Sequence, residues 1–170
     1  MASTSGNSET RRRHSIRLKG YDYSQVGVYY ITICVQDRLL LLQPEPVRLM
    51  VERWWTELPN KFPIIETDAF TVMPNHIHGI IAIVGQGPET PSTTASASRP
   101  ALGTIVQWYK TMTTNEYIHA VKGNGWQPFH GRLWQRNYWE HIIRDDGDLA
   151  RLRRYIETNP SRWIEDSLHP

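Results

Sequence analysis

Two histidines flank one aliphatic residue in His76-Ile77-His78, at the opening of the apolar run Gly79 to Val84 (GIIAIV). Met73-Pro74-Asn75 before them and Gly85 after them are turn signals, and β-branched residues between such signals read as a strand. Side chains alternate across a strand, so His76 and His78 share one face and Ile77 is buried on the other. Two imidazoles side by side can chelate one metal ion. On its own the pair favours a plainer reading, two polar residues at a strand mouth, until a partner is found.

A partner is present near the C-terminus, between Leu149 and Pro160 (LARLRRYIETNP). Asp145, Asp146 and Asp148 supply caps and negative charge where a helix would start. Leu149, Leu152 and Ile156 recur at helical spacing as a buried stripe, and Arg151, Tyr155 and Asn159 form a second stripe beside it. A phenol and an amide one turn apart could present a nucleophile and a third metal ligand to the histidine strand. The plainer alternatives are a tyrosine at a helix border and an asparagine that only caps the helix before Pro160.

Four stretches together resemble the HUH single-tyrosine DNA transposases, and among them the REP-associated branch. They are Arg12 to Tyr23 (RRHSIRLKGYDY), Val72 to Ile80 (VMPNHIHGI), Leu133 to Arg144 (LWQRNYWEHIIR) and Arg154 to Pro160 (RYIETNP). The resemblance implies that His76 and His78 hold a divalent metal, Mg²⁺ or Mn²⁺, and that Tyr155 is the nucleophile. Tyr138 is the tempting alternative, but in the family that aromatic segment is a strand and the attacking tyrosine lies on the following helix. Asn159 falls where the wider insertion-sequence family carries a glutamine ligand, and asparagine fits the REP-associated branch. The implied activity is cleavage and rejoining of single-stranded or hairpin DNA through a 5′-phosphotyrosine. The implied setting is the bacterial cytoplasm, at the nucleoid. Related transposases act as dimers, although no heptad or apolar patch in the sequence settles a homodimer here.

A chain of 170 residues with 39% hydrophobic content suits one domain with a real core. Residues 1–20 carry five bases (Arg11, Arg12, Arg13, Arg17 and Lys19) against the single acid Glu9, while the rest of the chain is slightly acidic. A basic, partly disordered arm on a nearly neutral body over residues 21–170 suits phosphate contact, set against a merely solvated tail. Arg151, Arg153 and Arg154 are further phosphate candidates, set against a solvated helix face. Seven tryptophans and eight tyrosines exceed what a core of this size needs, so Trp134, Trp139, Tyr21 and Tyr23 are either core filling or stacking platforms for unpaired bases. The lone cysteine, Cys34, excludes an internal disulfide and points to an intracellular chain. No segment has the length of a transmembrane helix, so no membrane partner is expected.

These residues need elements to position them. Strands are expected at Val28 to Gln36, Ile64 to Met73, His76 to Val84 and Trp134 to Ile143. Helices are expected at Val47 to Leu58, Leu102 to Ala120 and Asp148 to Thr158. Lys110 falls off the inward stripe of the second helix and is available to a ligand. Residues 85–100 form a low-complexity polar loop. The order β-α-β-β-α-β-α predicts an α+β, ferredoxin-like antiparallel sheet with an extra C-terminal helix. Helices are expected to pack on one face, with the tyrosine helix near the histidine strand. Two rival functions use the same residues: a metal-dependent phosphoesterase that activates water without Tyr155, and a non-catalytic single-strand-binding module.

Overall fold

Strand β1 (Gly27–Cys34) makes the sheet two-sided. Tyr29, Ile31 and Ile33 are fully buried on one face, while Tyr30 and Thr32 are buried on the other, as strand alternation requires. In the computed structural model, which describes residues 20–85 and 99–169, β1 lies inside a four-stranded sheet. Its neighbours are β3 (His76–Ile83) and β4 (Trp139–Ile143), and β2 (Ile65–Met73) lies outside β3. Every pairing is antiparallel. Helices α1 (Glu45–Thr56), α3 (Leu102–Asn124) and α4 (Asp146–Thr158) fall in the order expected from the sequence, and a single turn, α2 (Leu58–Lys61), is an addition after α1.

Two boundaries differ for identifiable reasons. β4 begins at Trp139 instead of Trp134, because the Lys110 ammonium gathers the carbonyls of Gln135, Arg136 and Asn137. The ammonium holds this stretch out of the ladder, and Trp134 makes one isolated bridge, to Val35. α3 continues past Ala120 to Asn124 and stops at Gly125, whose φ of 69° supplies the left-handed cap.

Helices α1 and α3 cover one face of the sheet. Trp55 of α1 stacks on Phe70 at 4.4 Å, and Tyr109 of α3 meets Trp55 edge-on at 5.7 Å. The Tyr109 hydroxyl donates to the Val51 carbonyl at 3.0 Å. Trp55 lies so close to β3 that a Cβ on Gly79 would fall 2.4 Å from its ring. The glycine after the histidine pair is therefore a packing requirement.

Helix α4 covers the opposite face, so the helices divide between the two sides of the sheet. Its Leu152 and Ile156 pack on Tyr30, Ile80 and Ile143. Burying an aliphatic side chain of this kind contributes about 1.5–3 kcal/mol. The Asp145 side chain caps the helix by accepting from the Asp148 amide at 2.8 Å. Arg153 pairs with Asp68 of β2, and His141 of β4 meets Asp148 at 2.6 Å, which fixes the helix against both sheet edges. Among the described residues no helix is long and apolar enough to cross a membrane.

Candidate metal and nucleophile site

The β1–β3 register places His78 opposite Thr32 and His76 opposite Cys34. Both histidines are buried on the α4 side, and Ile77 is buried on the other. Their Nε2 atoms are 2.9 Å apart. Asn75, in the turn before β3, accepts from His76 Nδ1 at 2.7 Å through its side-chain oxygen. The Asn75 amide nitrogen donates to the Leu168 carbonyl at 2.8 Å and towards that of Arg38 at 3.4 Å. With its NH₂ so committed, Asn75 offers oxygen to His76, which fixes the proton on Nδ1 and leaves the Nε2 lone pair free.

His78 Nδ1 lies 2.7 Å from the Tyr30 hydroxyl and 2.8 Å from Thr32 Oγ1. Hydroxyls donate or accept, so this pair accommodates either His78 tautomer. Without a cation, His78 Nε2–H can donate to His76 Nε2; with its proton on Nδ1, both Nε2 lone pairs converge on one point. Burial lowers the pKa of both rings, that of His78 to about 3, with His76 beside it as the second cause. Neutral imidazoles are the ligating form.

A carboxylate oxygen joins the two nitrogens. Asp166 Oδ2 lies 3.7 Å from His76 Nε2, with its side chain 3% exposed. Ligand atoms of His76, His78 and Asp166 all fall within 4.8 Å of one another. Asp166 Oδ1 accepts from the Leu168 amide at 2.6 Å, whereas Oδ2 is buried without a hydrogen-bond partner among the described residues. The buried Asn159 Oδ1 likewise finds none. Unsatisfied buried acceptors are costly, and a hard divalent cation would relieve Asp166 Oδ2 and the facing nitrogens, while Asn159 lines the same cleft as Asp166. The residues present fit such an ion, and a mixed set of nitrogen and oxygen donors suits Mn²⁺ and accommodates Mg²⁺.

Tyr155 stands at the edge of this cluster on α4, 43% exposed, with its ring 5.3 Å from that of His78. Burial and then the Asp166 charge raise its pKa, while a hydrogen bond with Asn159 acts the other way. A cleft of about 260 Å³ opens beside Tyr155, Asn159 and Asp166. Tyr138, the competing phenol, packs with the α1–α3 core under the Lys110 ammonium, on the far side of the sheet.

The structure thus brings together Tyr155, His76, His78 and Asn159. Arg151 is largely exposed on the same helix and paired with Asp148, and Arg154 is exposed beside it. Lys110 departs from its expected openness: it is buried, and its ammonium holds the backbone before β4. Arg11, Arg12, Arg13, Arg17 and Lys19 lie outside the described residues, as does most of the 85–100 loop. Sequence reasoning missed Asp166 and the supporting roles of Asn75, Tyr30 and Thr32. The β1 alternation signalled Tyr30 and Thr32, which share the face opposite Tyr29 and Ile31. Asp166 carried no signal, because its place depends on the path of the 3₁₀ stretch Asn159–Glu165.

No family model matches the chain. A Haemophilus influenzae protein of uncharacterized function is 33% identical, and the match covers 98% of both chains. A second protein of that organism, provisionally named a REP-associated tyrosine transposase, is 29% identical over 82% of this chain and 73% of its own length. Among solved structures, a REP-associated tyrosine transposase bound to a REP hairpin superposes with a TM-score of 0.59. That likeness, at 20% identity, covers 86% of this chain and 73% of the other, and shows the shared fold. The chain is thus similar in sequence to a protein provisionally named a REP-associated tyrosine transposase, and it shares the fold of a solved one.

Proposed function

We propose that the protein is a metal-dependent single-stranded DNA endonuclease and strand transferase acting at hairpin or palindromic repeats, with Tyr155 as its nucleophile. Similarity to the provisionally named REP-associated tyrosine transposase supports a transposase-like DNA-processing function, and the geometry of the site supports the chemistry. The observation that carries it is Tyr155 beside His78, at the edge of the His76, His78 and Asp166 cluster and hydrogen-bonded with Asn159. Cleavage and rejoining without a high-energy cofactor require that phosphodiester energy be kept in a covalent link, which a phenol can form. Tyr155 Oη attacks the scissile phosphorus, its bond to the 3′-oxygen breaks, and a 5′-phosphotyrosine and a 3′-hydroxyl result. A 3′-hydroxyl reverses the step and joins the ends.

Ionising an ordinary phenol at pH 7 costs about 4 kcal/mol, and the raised pKa of Tyr155 adds to that. A bound divalent ion would supply Lewis-acid polarisation of the phosphate and offset the Asp166 charge. Asn159 orients the phenol through its hydrogen bond, and the partial exposure of Tyr155 lets its proton leave to solvent. The basic residues of the 1–20 arm, with Arg151 and Arg154, contribute phosphate contacts. Incubation with labelled hairpin DNA and Mn²⁺, followed by mass mapping of the covalent adduct, tests the proposal. An adduct at Tyr155 is expected; uncovalent cleavage by activated water would replace it with a phosphoesterase.

A further inference from the structure

The space beside Tyr155 exceeds what an ion needs. A cavity of about 420 Å³ is lined by Tyr30, Thr32, His78, Trp139, Arg151 and Tyr155, among others. Trp139 is the first residue of β4, opposite Thr32 in the register. Its indole lies parallel to the His141 ring, with 7° between planes and 6.1 Å between centroids. It also meets Tyr30 edge-on at 5.5 Å. His141 is itself held by Asp148. The indole is thus braced on two sides, yet it remains 45% exposed. Arg151 is tethered by Asp148 at the same cavity. A braced, open aromatic plane beside a tethered guanidinium matches one chemical class, an unpaired nucleobase with its phosphate.

We propose that this cavity seats the unpaired base next to the scissile phosphate, with Trp139 as its stacking platform and Arg151 facing the adjoining phosphate. The inference rests on Tyr155 being the nucleophile, since that places the scissile bond at the cavity mouth. The Tyr30 and Thr32 hydroxyls are committed to His78, so the seat grips a base by its face more than by its edge. Stacking of that kind tolerates every base, with purines held more firmly through their larger area.

The test uses Tyr155→Phe protein, which cannot cleave, and hairpin DNA with single-stranded flanks carrying 2-aminopurine at one position at a time. One flank position should show quenched fluorescence. Adding Trp139→Ala should abolish that quench and weaken binding roughly tenfold, whereas Trp139→Phe should keep most of both. Unchanged quench and affinity in Trp139→Ala overturn the seat, and an adduct at Tyr155 in the otherwise native chain would then leave the nucleophile intact. A quench that depends on Trp139 without any Tyr155 adduct has the opposite meaning: the seat stands as a binding site, and the nucleophile is wrong. Circular dichroism of each variant separates these outcomes from a folding defect.

Discussion

Asn75 Oδ1 lies 2.7 Å from His76 Nδ1, and the same side chain donates to the carbonyl of Leu168. One buried amide therefore sets the tautomer of a candidate ligand and anchors the segment that carries Asp166. Outer partners of ligating histidines typically affect metal affinity by about 10–100-fold. Asn75→Ala should weaken Mn²⁺ binding by that order in calorimetry. Asn75→Asp should recover part of it, because a carboxylate accepts from Nδ1–H while losing the link to Leu168. Equal affinity in all three proteins would reduce Asn75 to a turn residue.

The two phenols make opposite predictions. Tyr155→Phe removes only the attacking oxygen, so cleavage of hairpin DNA should vanish while binding persists. Tyr138→Phe leaves the site untouched, because Tyr138 packs with the α1–α3 core, and cleavage should continue. An adduct mapped to Tyr138 would reverse the assignment.

Burial keeps His76 and His78 neutral, with the His78 pKa at about 3. In the unfolded chain each titrates near 6.5, roughly the ordinary value. The unfolded state therefore binds more protons as the pH falls, and stability present above about pH 6.5 declines towards pH 3. Melting temperatures of chelator-treated protein across that range should fall more steeply for the native chain than for His78→Gln. Parallel curves would show that the histidines titrate freely in the fold.

Gly79 offers a test of the frame behind the histidines. A Cβ there would meet Trp55 at 2.4 Å, with Trp55 held against Phe70. Overpacking of this kind typically costs about 1–3 kcal/mol. Gly79→Ala should lower the melting temperature, and Trp55→Leu should cost less in that background than in the native chain. Additive effects would mean that the sheet relaxes around the new methyl.

What the sequence revealed followed local periodicity. The β3 alternation placed both histidines on one face, and the i, i+4 spacing placed Tyr155 and Asn159 together, because both patterns depend on neighbours in the chain. Lys110 escaped the same reasoning. Its ammonium is drawn inward by carbonyls 25 to 27 residues away, which no helical stripe encodes. Asp166 escaped for a related reason: it reaches His76 through a 3₁₀ path and the anchoring of Leu168 on Asn75, both tertiary. The resemblance supplied the choice of Tyr155 over Tyr138, and the sheet face on which each phenol lies now gives that choice a structural reason.

Asp166 and Asn159 divide the oxygen side of the candidate metal site. Asp166 brings an anionic oxygen into the cluster with His76 and His78, whereas Asn159 brings a neutral one that also lies beside the phenol. For a hard divalent ion the carboxylate is the stronger donor. Asp166→Ala should therefore raise the Mn²⁺ concentration needed for half-saturation more than Asn159→Ala does, and either histidine substitution should raise it more still. The helix-cap reading of Asn159 predicts instead a small loss of melting temperature with unchanged metal binding. Asn159 Oδ1 has no hydrogen-bond partner among the described residues, and only the backbone N–H caps the helix, by donating to the Tyr155 carbonyl. Alanine should thus leave the cap in place. Calorimetric Mn²⁺ titration of both variants, read beside their melting temperatures, decides the matter. A normal isotherm for Asp166→Ala would remove the C-terminal segment from the metal site and leave Asn159 as the third donor.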